Sequence, residues 1–241
     1  MGTSSSFTGP NQNPLLPDDF DDNSWQNAKT EFGRFINNTG GNPSRLFGKY
    51  VKASGGNSSL ASSSIGGKTG FKNTVNLFNQ INNEGLKQTL EAFKISAQGK
   101  SLQEIFSELA NQVAPTGSSK EEAVARQATL DTMSSFYRLV DEQNIDLEVA
   151  DSISGNIFDD LLCEYFVNYI TGLLLKDLGY GVEKYADDPL VLEMKEQELR
   201  DYVDSSIYVM LKNSKLSQSP QKIIDKVFKD AFEIVGGYYE W

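Results

Sequence analysis

A chain of 241 residues with no histidine and a single thiol, Cys163, excludes a Ser-His-Asp or Cys-His catalytic unit, histidine-ligated zinc and an internal disulfide. Its hydrophobic content of 39% and aromatic content of 11% are those of a globular protein able to bury a core, and the lone cysteine suits a reducing cytoplasm. The net charge of −11 is unevenly placed. Asp18, Asp19, Asp21 and Asp22 give residues 1–24 a charge of −4, seven lysines and arginines against Glu31 alone give residues 25–72 a charge of +6, and the remainder carries −13.

Residues 1–24, MGTSSSFTGPNQNPLLPDDFDDNS, hold Ser, Gly, Pro, Asn and Asp without apolar periodicity, the pattern of a flexible arm. Its hydrophobic anchor is Pro14-Leu15-Leu16-Pro17, which the flanking prolines hold extended. The first residues have no basic region and no apolar core, so no secretory signal is expected.

From Trp25 the helical period takes over. WQNAKTEFGRFI places Trp25, Ala28, Phe32, Phe35 and Ile36 on one face, and a second helix after Gly41, with Pro43 in its first turn, buries Leu46, Phe47, Tyr50 and Val51. Ser54 to Gly70, SGGNSSLASSSIGGKTG, is low in complexity and predicts a mobile loop. FKNTVNLFNQI then stops before Gly85, and LKQTLEAFKI stops before Gly99. Ser101 with Glu104 and Ser119 with Glu122 are capping-box patterns that open two further helices, the second running through Val140. Ile157 to Leu175 is the most apolar stretch, but Asp159, Asp160 and Glu164 make it a buried central helix and not a membrane span, and the helical segment Ile157–Leu178 stops at Gly179. Asp188-Pro189 and Ser219-Pro220 start two more helices, the last ending near Gly236-Gly237. No run of alternating β-branched residues predicts a strand. The expectation is an all-α, multi-helix bundle of eight or nine helices. It divides into an arm at 1–24, a short-helix region with a basic start at 25–113 and an acidic bundle at 114–241, the last two separate or fused into one domain.

Candidate chemistry is sparse. GGKTG, Gly66 to Gly70, lacks the first glycine of a phosphate loop, because Ser62 stands there, though its amides and Lys68 suit an anion. Asp159/Asp160 and Asp187/Asp188 are adjacent pairs that diverge on a helix and make no site alone. Glu164 on its apolar helix fits either a buried polar contact or an exposed edge, the commoner place for a glutamate. Cys163 among apolar neighbours is an inert thiol. Arg34, Arg45, Lys49, Lys52 and Lys68 are the candidate anion-binding residues. Lysine and arginine interleaved with aromatic residues over 25–72 is also a nucleic-acid pattern, but Phe32, Phe35, Phe47 and Tyr50 fall at core positions and the acidic remainder opposes it. At the N-terminus, Gly2 is small enough for the initiator methionine to be removed. Its α-amine, with an ordinary pKa of about 8, is then partly an unprotonated nucleophile at neutral pH. Gly2 with Ser6 also matches the loose myristoylation pattern.

MGTSSSFTGP followed by PLLP, then WQNAKTEFGRFI, LFGKYVKASGGNSS, APTGSSKEEAVARQA and ELRDYVDSSI together resemble the QatB family of the bacterial four-protein Qat anti-phage system. One departure is visible: where the family often has a cysteine before the proline of the APTG segment, this chain has Ala114. The resemblance implies a partner network of an ATPase, a TatD-like nuclease and a QueC-like protein. By analogy with a related system, it implies a non-enzymatic chain whose Gly2 accepts a deazaguanine, with Thr3, Ser4, Ser5 and Ser6 recognised by the partner. Pro14, Leu15, Leu16 and Pro17 are also expected to meet a partner, as the docking segment of an arm that is not modified. ATP and the deazaguanine precursor belong on the QueC-like partner, so no cofactor is expected on this chain. Two alternatives stand beside it: an unmodified scaffold bridging the ATPase, the QueC-like protein and the nuclease, and nucleic-acid binding through 25–72.

Overall fold

The structure, a computed structural model, describes residues 22–142, 155–179, 189–213 and 221–237. These residues form ten helices, α1 (Asp22–Ile36), α2 (Pro43–Ala53), α3 (Asn57–Ser63), α4 (Ile65–Glu84), α5 (Leu86–Ala92), α6 (Leu102–Val113), α7 (Lys120–Glu142), α8 (Gly155–Leu178), α9 (Pro189–Asn213) and α10 (Gln221–Gly236), with no strand among the described residues. The all-α expectation holds.

α8 is the axis of the molecule. Its apolar residues run all the way round, as a helix packed on every side requires, and α7, α9 and α4 lie against it. Phe158, Leu162, Tyr165, Phe166, Tyr169, Ile170 and Leu174 have at most 1% of their surface exposed. Aromatic rings carry the core from one end to the other. Phe78 stacks on Phe158 at 4.7 Å between centroids, and Phe166 lies 4.8 Å from both Phe71 and Phe228. The helices of 25–113 and those of 114–241 contribute to this one buried cluster.

The local signals act where sequence placed them. Pro43 stands in the first turn of α2, where Asn42, a cap that the sequence reading did not single out, accepts the Arg45 amide at 2.9 Å. Ser101 and Glu104 form a reciprocal capping box on α6, and Ser119 and Glu122 exchange the same two bonds at the start of α7. The cap residues Asp188 and Ser219 lie outside the described residues, as do Asp187, residues 1–21 and residues 238–241.

Two expectations are corrected. The stretch from Ser54 to Gly70 is not a loop. It contains α3, whose Leu60 and Ala61 are buried, and the first turns of α4. Serine- and glycine-rich sequence is helical there because tertiary packing outweighs weak local propensity: α3 lies on α10, and α4 lies on α7 and α8. This adds a helix to the eight or nine expected. α5 also ends at Ala92, earlier than its periodicity predicts. Lys94 takes a left-handed conformation (φ 58°), its amide bonds Glu91 O at 2.9 Å and the Ile95 amide bonds Leu90 O at 2.9 Å. That turn closes the helix and tucks Ile95 into the core, 4% exposed.

Candidate functional site

The residues expected to meet a partner, Gly2, Thr3, Ser4, Ser5, Ser6, Pro14, Leu15, Leu16 and Pro17, all lie outside the described residues. The candidate anion-binding residues lie within them. α1 and α2 pack against each other, and Arg45 and Lys49, one turn apart on α2, converge on Glu31 of α1. The Lys49 ammonium donates to Glu31 Oε2 at 2.6 Å, and Arg45 Nε stands 3.4 Å from Oε1. Arg45 also donates to the carbonyl of Gly40. The Glu31 side chain is 1% exposed. Burial would push its carboxyl upward, but the Lys49 hydrogen bond and the charges of Lys49, Arg45 and Arg34 outweigh that and hold it below the usual carboxylate range. Lys68 lies elsewhere, on α4, with Asp225 of α10 at 2.6 Å. Arg34 and Lys52 are exposed. The five cations do not form one cluster.

The GGKTG segment does cradle an anion, and the anion is the protein's own. Gly66 and Gly67 stand in the first turn of α4, whose N-cap residue, Ser64, supplies no side-chain cap. Their amides donate instead to the carboxylate of Glu121, at 2.9 Å to Oε2 and 2.8 Å to Oε1. Glu121 is itself in the first turn of α7, so one carboxylate serves the positive ends of two helices. Tyr169 of α8 completes the group by donating to Glu121 Oε1 at 2.5 Å, and Tyr165 donates to Gly67 O at 2.7 Å. Burial and the nearby Glu121 push both phenols far above the ordinary tyrosine range. The glycines allow the approach. A Cβ at Gly67 would stand 2.3 Å from Tyr169 Cζ, and one at Gly70 would stand 2.6 Å from the Tyr165 hydroxyl. Sequence reading recognised the amides and missed Tyr169 as well as Glu121 and Tyr165, which lie 54 and 98 residues from Gly67 along the chain.

Glu164 is half-buried and takes part in a polar contact, which resolves the two placements sequence left open. It accepts from Ser135 Oγ at 2.5 Å, while Arg138 donates to the same oxygen at 2.9 Å. Burial raises its carboxyl above the usual range, opposed by the Ser135 bond and Arg138. Cys163 is buried. Among the described residues no three His, Cys, Asp or Glu side chains are grouped to hold a metal ion, and no helix is long and apolar enough to cross a membrane.

A cleft of ≈ 580 Å³ lies between the C-terminal ends of α2 and α10. α2 finishes in a left-handed turn at Gly55 (φ 84°), with the Gly55 and Gly56 amides bonded to Lys52 O and Val51 O. That turn forms one wall. Gly236 approaches Val51 so closely that a Cβ there would meet Val51 Cγ2 at 3.0 Å. Asn57 donates to Glu233 at 3.0 Å, and both residues line the cleft together with Lys52.

No curated protein and no solved structure matches the chain. A model of the QatB family, described as Qat anti-phage system associated protein QatB, matches residues 55–235, from the turn that ends α2 to the last turn of α10. Since that stretch takes in most of the chain and the buried core built around α8, the protein belongs to the QatB family of anti-phage system components.

Proposed function

We propose that this anti-phage component is not itself an enzyme, that it binds a QueC-like partner, and that it presents Gly2 as the acceptor of a deazaguanine-type modification. The observation that supports this best is how the body uses its polar groups. Glu31 is held by Lys49 and Arg45, the GGKTG amides by Glu121, and Glu164 by Ser135. Glu31, Arg45, Lys49, the GGKTG amides and Glu164 are thus engaged in holding helices together. The glycine followed by small hydroxyl residues at the start of the chain remains as the reactive element. With methionine removed, the Gly2 amine attacks the carbonyl carbon of an adenylate-activated 7-carboxy-7-deazaguanine. An amide bond forms, the acyl–phosphate bond breaks, and AMP and a proton leave. ATP and the activation step belong to the partner.

The test is the intact mass of the protein co-produced with the QueC-like partner in an active system. Loss of methionine with a gain equal to the deazaguanine acyl group is expected. Loss of methionine alone would overturn the modification. A second reading, an unmodified scaffold, is favoured by large apolar side chains exposed on α9: Leu190 at 65%, Met194 at 72% and Val209 at 66%. Under that reading Gly2→Trp leaves phage protection intact and Met194→Asp abolishes it; under the first, Gly2→Trp abolishes protection.

A further inference from the structure

We propose that the cleft between the ends of α2 and α10 docks the chain's own Pro14-Leu15-Leu16-Pro17, fixing the root of the N-terminal arm to the body. Three observations carry it. The first is the shape and chemistry of the cleft. Gly48, Val51, Gly55, Phe232 and Gly236 make a mainly apolar lining in which glycines leave the backbone open to close approach. A leucine pair held extended by prolines suits such a lining, because it loses little conformational freedom on docking.

The second is where the chain leaves the described residues. α1 begins at Asp22, and three residues on, the Trp25 ring meets the Tyr50 ring edge-on at 6.1 Å between centroids. Tyr50 is the neighbour in sequence of Val51, which lines the cleft. The arm is therefore rooted at the end of α2 that holds the cleft. The five residue steps from Pro17 to Asp22 span up to about 17 Å when extended, enough to round the end of that helix.

The third is charge. PLLP is followed at once by DDFDD, and these aspartates give the arm its −4, while the segment that supplies α1 and α2 carries +6. Lys52, which lines the cleft together with Glu233, belongs to that basic segment. Docking PLLP in the cleft keeps the aspartates, which lie between the motif and α1 in the chain, beside the basic segment. Residues 1–13 are then left to project from one fixed point. The docking is independent of any modification at Gly2.

The test uses the full chain without a partner. A photoreactive benzoylphenylalanine replaces Asn13, next to the motif, and hydrogen exchange is followed over residues 48–57 and 232–237. Irradiation is expected to give cross-links within one chain to those two stretches. The double substitution Leu15→Asp/Leu16→Asp is expected to abolish them and to speed exchange there about tenfold. Both substitutions lie outside the helical core, so the fold is retained, which circular dichroism checks. Cross-links that map elsewhere, that join two copies or that survive the double substitution would overturn the proposal. So would unchanged exchange, or exchange that responds to Tyr238→Ala/Tyr239→Ala/Trp241→Ala instead, which would assign the cleft to the C-terminal residues.

Discussion

The phenol of Tyr169 donates to the Glu121 carboxylate at 2.5 Å, and that carboxylate in turn receives the Gly66 and Gly67 amides. One glutamate thereby joins α4, α7 and α8. Its contribution comes from hydrogen bonds to a charged acceptor, each worth about 1.5–3 kcal/mol when made and leaving a costly unpaired donor when removed.

Glu121→Ala should therefore destabilise the protein by about 3 kcal/mol, and Tyr169→Phe by about 2 kcal/mol. Denaturant titrations followed by circular dichroism measure both. The double variant should lose less than the sum, because each change removes part of the same contact. Additive losses would show that the two side chains act separately.

Gly67→Ala is expected to be far more damaging than a glycine-to-alanine change inside a helix, which alone stabilises. The added methyl would stand 2.3 Å from the Tyr169 ring, and neither α4 nor α8 can yield without breaking the Glu121 contacts. A loss of soluble protein, or a thermal midpoint lowered by several degrees, is the expected result. Gly33→Ala, where nothing lies within 4 Å of the new methyl, is the control and should be neutral or stabilising.

Glu31 makes stability depend on acid. Its carboxyl is held below the usual range by Lys49, Arg45 and Arg34, so the folded state binds a proton less readily than the unfolded chain. The contribution is complete above the ordinary glutamate value, about 4.3, and is lost as pH falls through the lower folded value. Glu31→Gln should lower stability at neutral pH by about 1–2 kcal/mol, the discount reflecting partners that are partly exposed. It should also flatten the acid limb of a stability-against-pH curve.

Glu164 works in the opposite sense. Burial raises its carboxyl, so the folded state binds the proton more tightly and stability falls as pH rises from the ordinary glutamate value through the raised one. Glu164→Gln keeps an acceptor for Ser135 and removes the buried charge. It should leave stability at neutral pH unchanged or higher, and the gain should vanish near pH 4. Thermal midpoints at two pH values decide this, and a lower midpoint at neutral pH would show that Arg138 needs the charge.

Cys163 is 5% exposed on α8. A thiol reagent such as DTNB should not label it in the native protein, and its labelling rate should rise with denaturant in step with unfolding. Fast labelling without denaturant would mean that α8 opens locally.

Sequence by itself determined the helical class, the buried faces of α1 and α2, the caps of α6 and α7, and the central place of α8. Each of these follows from spacing within a few residues: apolar positions at 3.6-residue period and a serine three before a glutamate. The family was legible too, although MGTSSS, PLLP and WQNAKTEFGRFI, which suggested it first, lie before the matched stretch of 55–235. Tertiary structure alone decided the rest. Local propensity makes SGGNSSLASSSIGGKTG a loop, and only the rings of α8 and the carboxylate of Glu121 explain why Gly66, Gly67 and Gly70 are helical and buried. Likewise the basic residues of 25–72 look like a surface for an external anion until α1 brings Glu31 between Arg45 and Lys49. A charge or an amide shows its type in one residue, but its partner is set by how helices far apart in the chain pack, and that pairing is written in no local pattern.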